Sequence, residues 1–167
     1  MRQDIADPAR RDFVRVAAAM AATLVAGGSA GRAFAAPVAG ANPPALGPIR
    51  QIDAGVLNIG YVDMGPRDGA PILLFHGWPY DIHAFAEVAP LLVTQGHRVI
   101  IPHLRGHGST VFRGAATPRN AQQAALGADG IALMDALGIR QAVVAGFDWG
   151  ARTADIMAAL WPEPVSY

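Results

Sequence analysis

The run QAVVAGFDWGA, residues 141–151, is the strongest indication of the fold of this chain. Its first half is a continuous apolar segment, which is typical of a strand that is buried on both faces of a parallel sheet. Asp148 then stands between Gly146 and Gly150, and a helical pattern follows from Ala151 to Leu160. Glycines on both sides of one polar residue at a strand-to-helix junction predict a sharp turn that presents that side chain above the sheet.

Strands and helices alternate upstream of this turn. Two further apolar runs, Pro71–Phe75 and Arg98–Pro102, predict buried strands. One helix is predicted from its N-cap Asp81 to Thr94, and another from Asn120 to Leu137. Residues 49–63 predict an antiparallel hairpin. This order indicates an α/β fold with a doubly wound, mostly parallel sheet and helices on both of its faces.

Each predicted buried strand ends in a distinctive motif. The first is followed by His76-Gly77-Trp78-Pro79, the second by Arg105-Gly106-His107-Gly108-Ser109, and the third by Gly146-Phe147-Asp148-Trp149-Gly150. Reactive groups in open α/β sheets gather beyond the carboxyl ends of the strands. We therefore expect these three motifs to meet at one edge of the sheet.

The residue type at the turn indicates a class of chemistry. The Asp148 carboxylate is ionised at neutral pH without the help of a base. It suits attack on a saturated carbon that bears a leaving group, which yields an alkyl ester. Small epoxides or alkyl halides are the expected substrates. The structural alternative is that Asp148 only caps the helix that follows it.

Taken together, the three motifs resemble the N-terminal half of an α/β-hydrolase-fold protein, over residues 49–165. The resemblance is to the epoxide hydrolase branch, which neighbours the haloalkane and haloacetate dehalogenases. Phe147 departs from the pattern, because His or Gln is more usual directly before the aspartate. His103 also departs, because it stands where that branch commonly has Asp.

The resemblance implies roles for individual residues. Asp148 would be the nucleophile, and the backbone N–H groups of Trp78 and Trp149 would form the oxyanion hole. The Trp149 indole could also hold a departing halide. His76 is expected to brace its loop by hydrogen bonding. The residues expected to shape the three motifs are His76, Gly77, Pro79, Arg105, Gly106, Gly108, Gly146 and Gly150.

The resemblance also implies a catalytic acid and a histidine well beyond the turn. Nineteen residues follow Asp148. We therefore expect residues 49–167 to be the N-terminal part of a domain that is truncated after the helix 151–160, and inactive alone. The strand 141–147 would then lack a neighbour on one side.

Two other functions remain open at this stage. A haloalkane or haloacetate dehalogenase is one, although Trp78 stands where those enzymes often carry Asn. A non-catalytic remnant or binding protein on the same fold is the other.

The N-terminus has the plan of an export signal over residues 1–35. Arg10 and Arg11 precede an apolar segment, and Ala33 and Ala35 provide the small residues of a cleavage site. The arginine pair resembles the twin-arginine motif, which predicts contact with the export machinery and a periplasmic or secreted protein. Retention as a membrane anchor is the alternative. The proline-rich residues 36–48 predict a linker.

Composition excludes several classes of function. The chain has 13 basic and 13 acidic residues and a formal net charge of zero, so we expect no nucleic acid partner. It has no cysteine, which excludes disulfides and thiolate metal sites. The pattern implies no metal and no cofactor, and a small-molecule substrate is the expected partner.

Overall fold

The structure, a computed structural model, describes residues 46–166. The predicted signal with Arg10, Arg11, Ala33 and Ala35 lies outside the described residues, as do residues 36–45 of the predicted linker. Leu46, near the end of that linker, is buried among apolar side chains of the domain. Ordered packing therefore begins within the segment predicted to be a linker.

The strands of the described part form one mixed sheet in the order β1-β2-β4-β3-β6-β7, and β5 pairs with β2. Their bounds are β1 Arg50–Ala54, β2 Leu57–Met64, β3 Pro71–Phe75, β4 Arg98–Pro102, β5 Val111–Phe112, β6 Ala142–Gly146 and β7 Val165–Ser166. Strands β4, β3, β6 and β7 run parallel to one another. The predicted hairpin forms the antiparallel pair β1 and β2. The predicted buried strands are confirmed, each to within two residues.

The helices match the predicted pattern with one exception. Their bounds are a 3₁₀ helix at Ile82–Phe85, α1 Val88–Thr94, α2 Gln123–Ala136 and α3 Trp149–Leu160. The prediction of one continuous helix from Asp81 to Thr94 was wrong, because the chain breaks after Phe85. Pro90 explains the break: its ring would clash with the carbonyl four residues earlier, and it is tolerated in the first turn of a new helix.

Alternate residues of the central strands face two separate apolar clusters. Leu73 and Phe75 of β3 belong to the cluster that contains residues of α2 and α3. Ile72 and Leu74 of the same strand belong to the cluster that contains residues of the 3₁₀ helix and α1. Because successive side chains of a strand point to opposite faces, the sheet is covered by helices on both sides. The predicted doubly wound α/β architecture is therefore confirmed.

The β6 edge differs from the sequence-based expectation. We expected strand 141–147 to have no neighbour on one side, but β7 pairs with it at Ala142 and Val143. Pro162 follows the end of α3, and the chain turns back so that the Ala142 N–H donates to the Pro164 carbonyl at 3.0 Å. A two-residue strand after a proline-rich turn is too short to give a periodic pattern.

No helix between residues 46 and 166 combines the length and the hydropathy that crossing a lipid bilayer requires.

Candidate active site

The turn between β6 and α3 is as sharp as its sequence predicts. Asp148 is the non-glycine residue with positive φ in the described chain, at φ 52° and ψ −118°. A Cβ on Gly146 would lie 2.6 Å from the Phe75 carbonyl oxygen, and a Cβ on Gly150 would clash with that same oxygen. Helix α3 therefore starts against the end of β3, at a distance that glycine alone permits.

The Asp148 side chain is exposed above this turn. The backbone N–H of Trp78 donates to its Oδ1 at 3.0 Å. This bond lowers the pKa of Asp148 most, and the neighbouring Trp149 N–H lowers it further. Desolvation opposes both, and the charge of Arg152 adds a weaker lowering. Although Asp148 holds the N-cap position, its carboxylate makes no capping hydrogen bond to α3. Its geometry therefore leaves the carboxylate ionised and directed toward Trp78 rather than toward the helix.

The first motif packs directly under this carboxylate. A Cβ on Gly77 would lie 2.6 Å from the Asp148 Cβ and 3.0 Å from its Oδ1. The Trp78–Pro79 peptide bond is cis. Residues 76–79 and the Asp148 turn therefore meet at the carboxyl edge of the sheet.

His76 is completely buried beneath its own loop. The Leu104 N–H donates to the ring Nε2 at 3.1 Å, and Nδ1 lies 3.1 Å from the Gly77 carbonyl oxygen. An amide N–H can only donate, so Nε2 accepts and the ring proton must reside on Nδ1. Burial lowers the pKa of His76, which keeps the ring neutral.

The second motif is fixed by its arginine. The Arg105 Nε and Nη2 donate to the Asp129 carboxylate at 2.6 and 2.7 Å, and Nη1 donates to the Asn120 carbonyl at 2.9 Å. Sequence reasoning missed both partners. The available signal for Asp129 was its place as one of two acids on the largely apolar helix α2, since a buried carboxylate requires a cation.

The two glycines of this motif have different surroundings. Gly106 has φ 78° in open space, whereas Gly108 has φ 50° and a Cβ there would clash with the His103 ring. Burial lowers the pKa of His103, the residue that departs from the family pattern. The loop therefore closes over a buried, uncharged imidazole.

Aromatic side chains lie on the segments that meet at Asp148. Trp78 is 68% exposed, and Tyr80 and Trp149 are also exposed. Phe147 packs between Tyr80 and Phe85, with ring centroids 5.6 and 5.8 Å away. An apolar rim beside an ionised carboxylate suits an uncharged organic electrophile.

The rim includes one cation, Arg152, whose guanidinium carbon lies 5.2 Å from the Trp149 ring centroid. Sequence reasoning did not single out this residue. Between residues 46 and 166, no group of three or more His, Asp or Glu side chains is arranged to hold a metal ion.

Known proteins resemble this chain in sequence. The chain is 37% identical over 117 residues to a fluoroacetate dehalogenase of Burkholderia, covering 70% of this chain and 38% of that protein. It is 46% identical over 52 residues to a haloalkane dehalogenase of Psychrobacter cryohalolentis, covering 31% of this chain and 17% of that protein. It thus spans well under half the length of these curated relatives.

A solved structure of a related protein is also similar to this chain. The crystal structure of a Klebsiella pneumoniae protein, provisionally named an epoxide hydrolase, superposes with a TM-score of 0.69 and 67% sequence identity. The match covers 70% of this chain and 39% of that one. A model of the alpha/beta hydrolase fold family matches residues 70–166, which include all three strand-end motifs. The chain therefore belongs to the α/β-hydrolase-fold family, with its structural likeness on the epoxide hydrolase side.

Proposed function

We propose that this chain carries the nucleophile of an epoxide hydrolase-like enzyme, and that the nucleophile is Asp148. The observation that carries the proposal is an exposed carboxylate at a strained turn, with Oδ1 bound to the Trp78 N–H at 3.0 Å. A strained, well-supported backbone position of this kind is characteristic of functional sites.

The geometry supports different roles for the two carboxylate oxygens of Asp148. Because Oδ1 is engaged by the Trp78 amide, we assign the attack to Oδ2. Oδ2 forms a bond to a ring carbon of the epoxide, the carbon–oxygen bond breaks, and its electron pair stays on the epoxide oxygen, which takes up a proton from solvent water. The product is an ester whose carbonyl oxygen is Oδ1.

The same amide then serves the second step. Water attacks the ester carbonyl carbon, and negative charge develops on Oδ1, beside the N–H groups of Trp78 and Trp149. One such donor typically lowers the barrier by about 3 kcal/mol. We assign no general base for this step among residues 46–166, so we expect the ester to accumulate on this chain.

A dehalogenase is the second candidate, and the two dehalogenase relatives favour it. In this reaction Asp148 attacks the carbon that bears the halogen, the carbon–halogen bond breaks, and halide leaves with the electron pair. The Trp149 indole N–H, at the exposed rim, would receive the halide.

Adduct mapping by mass spectrometry tests the proposal and separates the two candidates. The purified chain is incubated with styrene oxide or with bromoacetate, digested, and sequenced by tandem mass spectrometry. We expect one covalent adduct on Asp148, preferentially from the epoxide. A preference for the halide would favour a dehalogenase.

Matched variants make the assignment specific. Asp148→Ala should form no adduct, whereas Asp155→Asn, at an exposed acid on the same helix, should react like the original chain. A folded chain that forms no adduct with either probe would defeat the nucleophile assignment and favour a non-catalytic protein on this fold.

We also propose that residues 1–35 direct export. Replacing Arg10 and Arg11 with lysine should leave the protein in the cytoplasm of a bacterial host with a twin-arginine pathway, and Arg15→Lys is the matched control. Cell fractionation with N-terminal sequencing gives the readout, and cleavage is expected after Ala35. Export of the double-lysine variant would contradict a twin-arginine signal.

A further inference from the structure

His76 bonds to the same peptide group that supports Asp148. The carbonyl of Gly77 and the N–H of Trp78 belong to one peptide unit, and His76 Nδ1 lies 3.1 Å from that carbonyl oxygen. The N–H at the other end of the unit donates to Asp148 Oδ1 at 3.0 Å. Because a peptide unit is planar, fixing its carbonyl also fixes the direction of its N–H.

We propose that His76, as the neutral Nδ1–H tautomer, is a positioning residue that aims the Trp78 N–H at Asp148. The catalytic consequence rests on the proposed function of Asp148, but the aiming of the peptide does not. A donor on the carbonyl also polarises the peptide and strengthens its N–H as a donor. His76 thus acts on the nucleophile through one rigid amide, without touching the substrate.

The Leu104 amide determines the tautomer. Its N–H points at His76 Nε2 at 3.1 Å, so this nitrogen must remain an acceptor. A proton added there would place two N–H donors against each other in a site without solvent access. The ring would have to move, and the Gly77 carbonyl would lose its donor. Acid should therefore release the Trp78 N–H from its fixed direction.

The two histidines next to His76 favour its neutral form. From the loop after β4, the His107 ring lies 4.9 Å and the His103 ring 6.4 Å away, centroid to centroid. Both oppose a positive charge on His76, whereas Asp81, at the start of the 3₁₀ helix, favours it. Asp148 lies on the far side of the Gly77–Trp78 peptide.

The direction of the pH effect follows from burial. Desolvation lowers the pKa of His76 below its ordinary value of 6.5. The unfolded chain therefore takes up this proton at a higher pH than the folded one. The interaction is complete above pH 6.5 and is lost as the pH falls through the lower folded-state pKa.

Nuclear magnetic resonance of the full chain tests the aiming directly. The ring ¹⁵N shifts of His76 report the tautomer, and the Trp78 amide resonance reports the peptide. We expect an Nδ1–H tautomer at pH 7.5 and a Trp78 amide shift that titrates together with His76, below pH 6.5. An Nε2–H tautomer, or a Trp78 amide that ignores the His76 titration, would overturn the proposal.

Two substitutions separate positioning from mere packing. His76→Asn keeps an N–H group near the position of Nδ1 and can still donate to Gly77, whereas His76→Gln keeps an acceptor for Leu104 and loses that donor. The pKa of Asp148, measured by a ¹³C titration of its carboxyl, should stay below 3.8 in the Asn variant. It should rise toward 3.8 in the Gln variant, because the Trp78 N–H then no longer points at Oδ1.

The pH dependence supplies the remaining tests. The Trp78 amide shift should lose its titration below pH 6.5 in the Asn variant and keep it in the control His83→Asn, which removes an exposed histidine of the 3₁₀ helix. An equal pKa of Asp148 in the Asn and Gln variants would contradict positioning. If both variants unfold, the titration of the original chain decides. If Asp148 forms no adduct at any pH, the proposed function fails while the resonance test still stands.

Discussion

Two loops at the same edge of the sheet, the Asp148 turn and the loop of Arg105, use charged side chains in opposite ways. Asp148 is exposed, stands at positive φ, and accepts a hydrogen bond from the backbone amide of Trp78. The Arg105 side chain is 7% exposed and donates to Asp129, Asn120 and the Ala125 carbonyl. One loop leaves a charge available for reaction, and the other buries a charge to hold its neighbour in place.

This contrast shows how a reactive carboxylate stays accessible while the backbone around it is held in place. The strained backbone at Asp148 persists only because the surrounding structure holds it in place. The close approach of Gly150 to β3 provides such surroundings on one side, and the first motif beneath the carboxylate provides them on the other. The Arg105 ion pair joins the loop after β4 to α2, and that loop carries the Leu104 amide that binds His76. The contacts that stabilise this edge of the sheet thus lie beneath the reactive carboxylate and leave it exposed.

Removing Arg105 should have the largest effect. Arg105→Met leaves the Asp129 carboxylate buried without a partner, and breaking a buried pair in this way costs about 3–5 kcal/mol. We expect the free energy of unfolding, measured by urea denaturation, to fall by that amount.

The double variant Arg105→Met/Asp129→Leu is the control for this prediction. It replaces the pair with apolar groups of similar size and should regain most of the lost stability, because burying two charges is itself costly. A double variant as unstable as Arg105→Met would show that the guanidinium bonds to Asn120 and Ala125 matter more than the pair.

Gly150→Ala should have the next largest effect. The added Cβ collides with the Phe75 carbonyl oxygen, which belongs to a central strand and cannot rotate away. Overpacking of this kind costs about 1–3 kcal/mol, and we expect the upper end for the free energy of unfolding. The Asp148 adduct should also be lost, since α3 must shift.

Gly114→Ala provides the matched comparison for Gly150→Ala. Its added Cβ would meet a single flexible side chain, Thr117 Oγ1, at 3.2 Å. Its free energy of unfolding should change little. If the two variants were equally stable, the Asp148 turn would not depend on the close approach of α3 to β3.

Asp148→Gly should have a smaller effect of opposite sign. Glycine adopts positive φ without a Cβ penalty, so the strain of the turn is relieved and the midpoint of thermal unfolding should rise. Covalent addition of either probe should disappear. Asp155→Gly, within α3, should instead lower the midpoint, because glycine is unfavourable inside a helix. A lower midpoint in Asp148→Gly would show that its bond to Trp78 outweighs the strain.

The sequence predicted the centre of this molecule well because its signals are local. Strands β3, β4 and β6 are short apolar runs. Residues 146–150 alone are enough to predict a sharp turn that presents the Asp148 carboxylate. The Asp148 position at the sheet edge then follows from the order of strands and helices.

The features that the sequence did not predict depend on distant partners. Asp129 is 24 residues from Arg105, and the Leu104 amide is 28 residues from His76. Neither distance corresponds to a helix or strand period, so no pattern links them. Strand β7 has two residues and forms because β6 offers an edge, which is a tertiary rather than a local cause.

Trp78→Ala should have the smallest effect, and it tests whether this residue acts through its backbone. The indole is 68% exposed, so its loss should change the free energy of unfolding by less than about 0.5 kcal/mol. The amide remains, and the pKa of Asp148 should stay below its ordinary 3.8 in a ¹³C titration of the carboxyl. A return of that pKa to 3.8 would mean that the indole, rather than the peptide aimed by His76, holds the carboxylate. If the pKa of Asp148 instead stays low, substrate selection is the role left to the indole, and Trp78→Ala should change the preference between the two probes.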